Sequence, residues 1–195
     1  GWSGQAGWGT AIYLTLYMTI IPFFIGGILG FIAGLLLVLT GPRGILENRL
    51  VFFVLDKVTS IFRAIPFIIL LALINPFTRI IVGTGIGPTA ALVPLSLAVF
   101  PFFARQVQVV LSELDRGVIE AAQASGATFW DIVGVYLREG LPDLIRVTTV
   151  TLISLVGETA MAGAIGAGGL GNVALTYGYQ RFNHDVTILA TILIL

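Results

Sequence analysis

Residues Ile12 to Leu39 read IYLTLYMTIIPFFIGGILGFIAGLLLVL, 28 positions without a charge. A helix needs about 20 apolar residues to cross a bilayer, so this run crosses with residues to spare. Gly26, Gly30 and Gly34 recur every four positions and fall on one helical face. Small residues at that spacing let a neighbouring helix approach closely; the alternative is a flexible span facing lipid. The run is too long for a cleaved signal peptide and no basic stretch precedes it, the first charge being Arg43.

The rest of the chain agrees with that start. Of 195 residues, 57% are hydrophobic and 10% are charged, against about 25% charged in a soluble domain. No cysteine is present, which excludes disulfides, thiolate metal sites and cysteine nucleophiles. The single histidine, His184, excludes a multi-histidine metal cluster. Ten basic and ten acidic residues cancel, so charge gives no sign of a nucleic-acid partner. The expectation is an all-α membrane protein forming one domain over 1–195. Its five spans are expected at about 12–39, 59–82, 88–104, 144–165 and 186–195. The last is too short to cross and reads as cut off, so the natural C-terminus is expected to be missing. Pro66 and Pro76 are expected to kink or break the second span. Residues 43–57 read as a polar connector.

Charge sets the orientation. Arg43, Arg49, Lys57, Arg63, Arg105, Arg116, Arg138 and Arg146 flank the two polar connectors, whereas only Arg79 and Arg181 lie on the other side. By the positive-inside rule, both connectors are cytoplasmic and the N-terminus is outside.

The segment 105–143 is too polar to cross a membrane, yet it is patterned. Val107, Val110, Leu111, Leu114, Val118, Ile119 and Ala122 share a helical face. Asp115-Arg116-Gly117 is expected to interrupt that helix, and Gly126 to end it. Thr128 followed by Asp131 has capping-box spacing. The helix it opens is expected to run from about Phe129 to Glu139 and to stop at Gly140, with Pro142 beyond. Eleven residues, roughly 16 Å of helix, cannot span a bilayer, yet Phe129, Trp130, Ile132, Val133, Tyr136 and Leu137 are too apolar for water. The helix must dock on the same protein, on the membrane surface or on a partner.

Glu120-Ala121-Ala122 followed by Gly126 resembles the EAA motif of permease subunits of bacterial ABC importers. Small residues at 121 and 122 suit close approach of a partner, and glycine at 126 suits a turn between short helices. The family's continuation places Leu-Pro about ten residues after the glycine. Here Arg138-Glu139 stands there, and Leu141-Pro142 comes three residues later. Two further runs are similar to the methionine-uptake permeases within that family. One is Phe62-Arg63-Ala64-Ile65-Pro66-Phe67 with Asn75-Pro76-Phe77-Thr78-Arg79. The other is Gly157-Glu158-Thr159-Ala160-Met161-Ala162-Gly163, continuing to Gly171.

The resemblance implies a five-span type I importer permease fold. It implies that Glu120, Ala121, Ala122, Gly126, Ala127 and Thr128 form the joint to an ATP-binding subunit. It further implies two copies of the permease around one path, two ATP-binding subunits, and an extracytoplasmic substrate-binding lipoprotein. The setting is the bacterial inner membrane, with methionine as the expected substrate. Magnesium-ATP is expected on the partner subunit and no cofactor on this chain.

Other features keep two readings each. Glu158 lies inside the fourth span, where an acid is functional by default; it serves the path or reaches an outer aqueous vestibule. Met161 beside it either contacts the path or packs. Arg63 either snorkels to the interface or makes a gate or partner contact. Gly166-Ala167-Gly168-Gly169-Leu170-Gly171 lacks the Lys-Ser/Thr of a phosphate-binding loop and reads as close packing or a turn. An importer for another small solute, a stand-alone channel and an intramembrane enzyme are the alternatives. The enzyme would need a catalytic constellation, and no second acid or histidine accompanies Glu158 at membrane depth. No catalytic or metal residue is expected in this chain.

Overall fold

The computed structural model describes Trp2, Gly4 and residues 7–195. It is helical throughout its main elements. The first helix, α1 (Trp8–Thr40), is about 50 Å long at 1.5 Å per residue. Helix α4 (Pro88–Ser112) lies along it. A side-chain carbon on Gly26 would stand 2.7 Å from the Ser96 carbonyl oxygen, on Gly30 2.7 Å from that of Phe100, and on Gly34 2.5 Å from that of Ala104. The contacts climb together along both helices, so α1 and α4 run parallel with their backbones touching. The glycine stripe is therefore a packing seam and not a lipid-facing surface.

Two helices, α2 (Arg49–Ala64) and α3 (Phe67–Val82), occupy the stretch between them. They meet at a bend of 113° at Ile65-Pro66. The expected break at Pro66 is present, whereas Pro76 sits within α3 without ending it. Residues 43–57 are not a connector throughout. Asn48 caps α2, its side-chain oxygen accepting from the N–H groups of Leu50 and Val51 at 3.1 Å each, and the helix starts at Arg49 because that cap satisfies its first donors.

The third expected span also continues further, since α4 runs eight residues past Ala104 to Ser112. After the short helix α5 (Arg116–Ala124) comes α6 (Phe129–Ala162). Here the expectation of a stop at Gly140 fails. The helix passes through Gly140 and Pro142 without a break. Gly140 is buried against α4, and a side-chain carbon there would sit 2.9 Å from Leu111 Cδ2. Its role is close approach and not termination. Pro142 is exposed, as is Arg138, whose carbonyl loses its usual helical donor. The short docking helix and the fourth span are one rod.

Beyond Ala162, where the expected span ran on to 165, the α-helix ends. A π-helical turn (Gly163–Ala167), a single helical turn α7 (Gly169–Asn172) and a second π-helical stretch (Val173–Tyr179) lead to α8 (His184–Ile194). Ile165 and Gly166 leave helical geometry, with φ at Gly166 of 100°. The Leu170 N–H donates to Thr15 Oγ1 at 2.9 Å, tying this segment back onto α1.

Three apolar clusters hold the bundle. Met18, Leu95, Val99, Leu155 and Ala162 fill the middle, and Ala11, Leu170, Val173 and Ala190 the end near the start of α1. At the other end Val107, Leu111, Ile119, Ile132, Tyr136 and Val147 join α4, α5 and α6. Thr19, Thr40, Thr78 and Thr151 are buried, and each returns its hydroxyl to the carbonyl four residues back, which satisfies them where water is absent. Among the described residues α1, α4 and the α6 rod are each long and apolar enough to cross a membrane, and the bent α2–α3 pair passes the same test together.

Candidate functional site

The helix–turn–helix from Arg116 to the start of α6 is built by capping. The Asp115 side chain accepts from the Gly117 N–H at 2.9 Å and opens α5. Gly126 ends the turn with φ of 80° and nothing within 4 Å of where a side-chain carbon would stand. Conformation, not space, therefore requires glycine there. Thr128 and Asp131 form the expected box. The Thr128 N–H donates to Asp131 Oδ2 at 2.9 Å, and the Asp131 N–H donates to Thr128 Oγ1 at 3.3 Å. These bonds to Thr128 hold the Asp131 carboxyl below its ordinary range. The box is thus complete above that range and is lost as pH falls through the lowered value.

The six expected joint residues lie together but do not share an environment. Glu120, Ala121, Gly126 and Thr128 are exposed, while Ala122 and Ala127 are half-buried against the chain's own cluster. Small size at 122 therefore serves packing within the chain, and Ala121 is left exposed. Phe129 and Trp130 stand on the same end of α6, edge to face with ring centroids 5.1 Å apart. Trp130 is 76% exposed, on a helix whose neighbouring residues Ile132, Val133 and Tyr136 are buried. Trp130 was not among the expected joint residues, though an aromatic pair directly after a capping residue in a polar segment was the available signal. Arg138 and Glu139 are exposed.

A cleft of about 420 Å³ opens beside this element, lined by Leu37, Arg43, Gln108, Arg116, Glu120 and Tyr136 among others. Arg116 Nη2 donates to the Arg43 carbonyl at 2.7 Å and fastens α5 to the turn after α1. Burial pushes the Tyr136 hydroxyl above its ordinary value, opposed by the charge of Arg116.

The second expected site is on the C-terminal half of α6. Glu158 is half-buried and Met161 is 49% exposed. Gly157, next to Glu158, is exposed as well. Neither Glu158 nor Met161 lines the 420 Å³ cleft or the cleft of about 360 Å³ between α3, α4 and the turn after α6, whose walls include Leu71, Asn75, Thr78, Pro94 and Ala162. Among the described residues no group of three acidic, histidine or cysteine side chains could hold a metal.

The site thus lies on an all-helical bundle with several helices long and apolar enough to cross a membrane and an exposed, capped helix–turn–helix at one end. The chain belongs to the family described as binding-protein-dependent transport system inner membrane component, which matches residues 26–195. It is 49% identical over 187 residues to the probable D-methionine transport system permease protein MetI of Pasteurella multocida, covering 95% of this chain and 86% of that protein. It is 50% identical over 186 residues to the methionine import system permease protein MetP of Bacillus subtilis, covering 95% and 84%. The fold matches a chain of the MetNI methionine ABC transporter, solved in inward-facing conformations, with a TM-score of 0.91 at 45% identity, covering 95% of this chain and 87% of that one. The type I importer permease fold expected from the sequence is the one observed.

Proposed function

We propose that this chain is the membrane-spanning subunit of an ATP-driven methionine importer, set in the inner membrane with its N-terminus outside. Two copies pair around one path. Two ATP-binding subunits dock below them and supply the energy of hydrolysis, and an extracytoplasmic lipoprotein delivers substrate. The observation that supports docking is the exposed Phe129–Trp130 pair on a rigidly capped helix end. Burying an indole of that exposure is worth on the order of 4 kcal/mol before ordering costs, and an aromatic anchor beside small residues suits a cleft in a partner. Because α6 runs unbroken from Phe129 to Ala162, a displacement at its docked end reaches the outer half of the membrane along a single rod. That is a direct route for alternating access, with coupling passed as free energy between two sites. Glu158, on the same rod, would attract the ammonium group of a zwitterionic substrate.

The test is uptake into proteoliposomes holding this chain, its ATP-binding subunit and its binding protein. ATP-dependent accumulation of labelled methionine, unaffected by other amino acids in excess, is expected. Accumulation without ATP, or of a different amino acid in preference, would overturn the reading.

A further inference from the structure

We propose that Arg105 is the positioning residue through which the coupling segment moves α2 and α3; this rests on the importer reading above. Arg105 lies on α4, seven residues before its end. Its Nη1 donates to Asp56 Oδ1 at 2.7 Å. Its Nη2 donates to the Asp56 carbonyl at 3.2 Å and to Ser60 Oγ at 2.8 Å. Gln108, one turn on, accepts a further bond from Nη1. The Arg105 and Asp56 side chains are only 18% and 28% exposed. Among the described residues the other ion pair, Arg146 with Asp143, lies within one helix at 3.6 Å and is open to solvent. The Arg105 fork is thus the pair that joins two elements.

What it joins differs on its two sides. Toward the coupling segment, Val107, Val110 and Leu111 of α4 are buried with Ile119 of α5 and with Ile132 and Tyr136 of α6. Those turns form one packed body. On the other side, α2 is poorly held. Thr59 is its one fully buried residue, with Phe52, Leu55 and Phe62 half-buried, and among the described residues the Thr59 hydroxyl has no hydrogen-bond partner, which costs stability. Leu50, Val54, Val58 and Ile61 point outward. Because that apolar packing is only partial, the planar guanidinium, directed at three acceptors on α2, fixes how α2 sits against α4. Helix α2 passes through the Pro66 bend into α3, whose Leu71, Asn75 and Thr78 wall the 360 Å³ cleft. A shift of the packed body reaches the Pro94 and Ala162 walls of that cleft directly, and through Arg105 and α2 it also reaches the α3 wall.

The experiment compares substrate transported per ATP hydrolysed in proteoliposomes. Arg105→Lys keeps the charge but cannot span the acceptors. It should lower transport at least tenfold while ATPase activity stays within threefold. Asp56→Asn, which leaves the carbonyl and Ser60 contacts, should lower it less. Exchanging the two residues, Asp56→Arg with Arg105→Asp, should restore part of the loss. Equal loss of transport and ATPase activity, or an unchanged ratio in Arg105→Lys, would overturn the proposal. Wild-type uptake in the same vesicles reports on the importer reading separately. A second measurement needs no transport. The chain has no cysteine, so spin labels on Lys57→Cys and Val109→Cys report the α2–α4 distance. With one labelled copy paired to an unlabelled one, one narrow distribution is expected with Arg105 and a broad one with Arg105→Lys; identical distributions would contradict the proposal.

Discussion

Gly126 in the turn after α5 and Gly163, Gly171 and Gly178 at the opposite end of the bundle are glycine for opposite reasons. At the coupling end, Gly126 has open space around it and a left-handed backbone. At the opposite end, a side-chain carbon on Gly163 would stand 2.7 Å from both the Asn172 nitrogen and the Gly168 oxygen, and one on Gly171 would overlap the Ala160 carbonyl. Gly178 is closed in the same way by Thr187. The first end is a capped, exposed surface. The second is a backbone-on-backbone core in which the chain changes from α to π geometry, a feature that often marks functional segments. Flexibility is the wrong inference from glycine content at either end: one is fixed by capping and the other by crowding.

The largest effect expected from this contrast is at Gly171. Gly171→Leu should leave no monodisperse protein on size exclusion, since backbone cannot yield to the added carbons. Gly126→Ala should cost only about 1 kcal/mol, the penalty of a left-handed alanine, and leave the bundle folded with a melting point lowered by a few degrees. If both variants behave alike, the distinction between crowding and conformation fails.

That distinction also explains what could be read from the sequence. The caps at Asp115 and Thr128 are local, each closed within three residues, so spacing revealed them. The Gly26-Gly30-Gly34 seam was legible because its period is that of a helix. The glycines beyond α6 were not, since Gly169 is closed in by Thr15 and Met18 of α1, far away in sequence. Gly140 misled for a related reason. Glycine followed by proline is the local sign of a helix end, and only Leu111 on another helix shows that close packing is its purpose. Residues 120–128 form the short helix and turn that their spacing indicated, but the inward turn of Ala122 and the exposure of Trp130 depend on how α5 packs on α6.

A middle-sized effect is expected at Glu158, between the two ends. Glu158→Gln should preserve assembly and change methionine uptake or ATPase stimulation at least threefold in proteoliposomes. Wild-type values for both would reduce Glu158 to a solvated acid. The smallest effect is expected at Arg138 and Glu139. Both are exposed on the continuous α6 rod, and charges at the rim of an interface contribute little. Alanine at either should lower transport less than threefold, whereas near-complete loss would place them inside the joint.

The most direct test of docking at the coupling end is the affinity of the purified ATP-binding subunit for detergent-solubilised variants of this chain, measured beside their melting curves. Ala121→Trp adds bulk to the exposed face, and Trp130→Ala removes its anchor. Each should weaken binding at least tenfold, while melting stays within a few degrees of wild type because neither side chain is buried in the bundle. Undiminished binding in both variants would contradict docking through this helix–turn–helix.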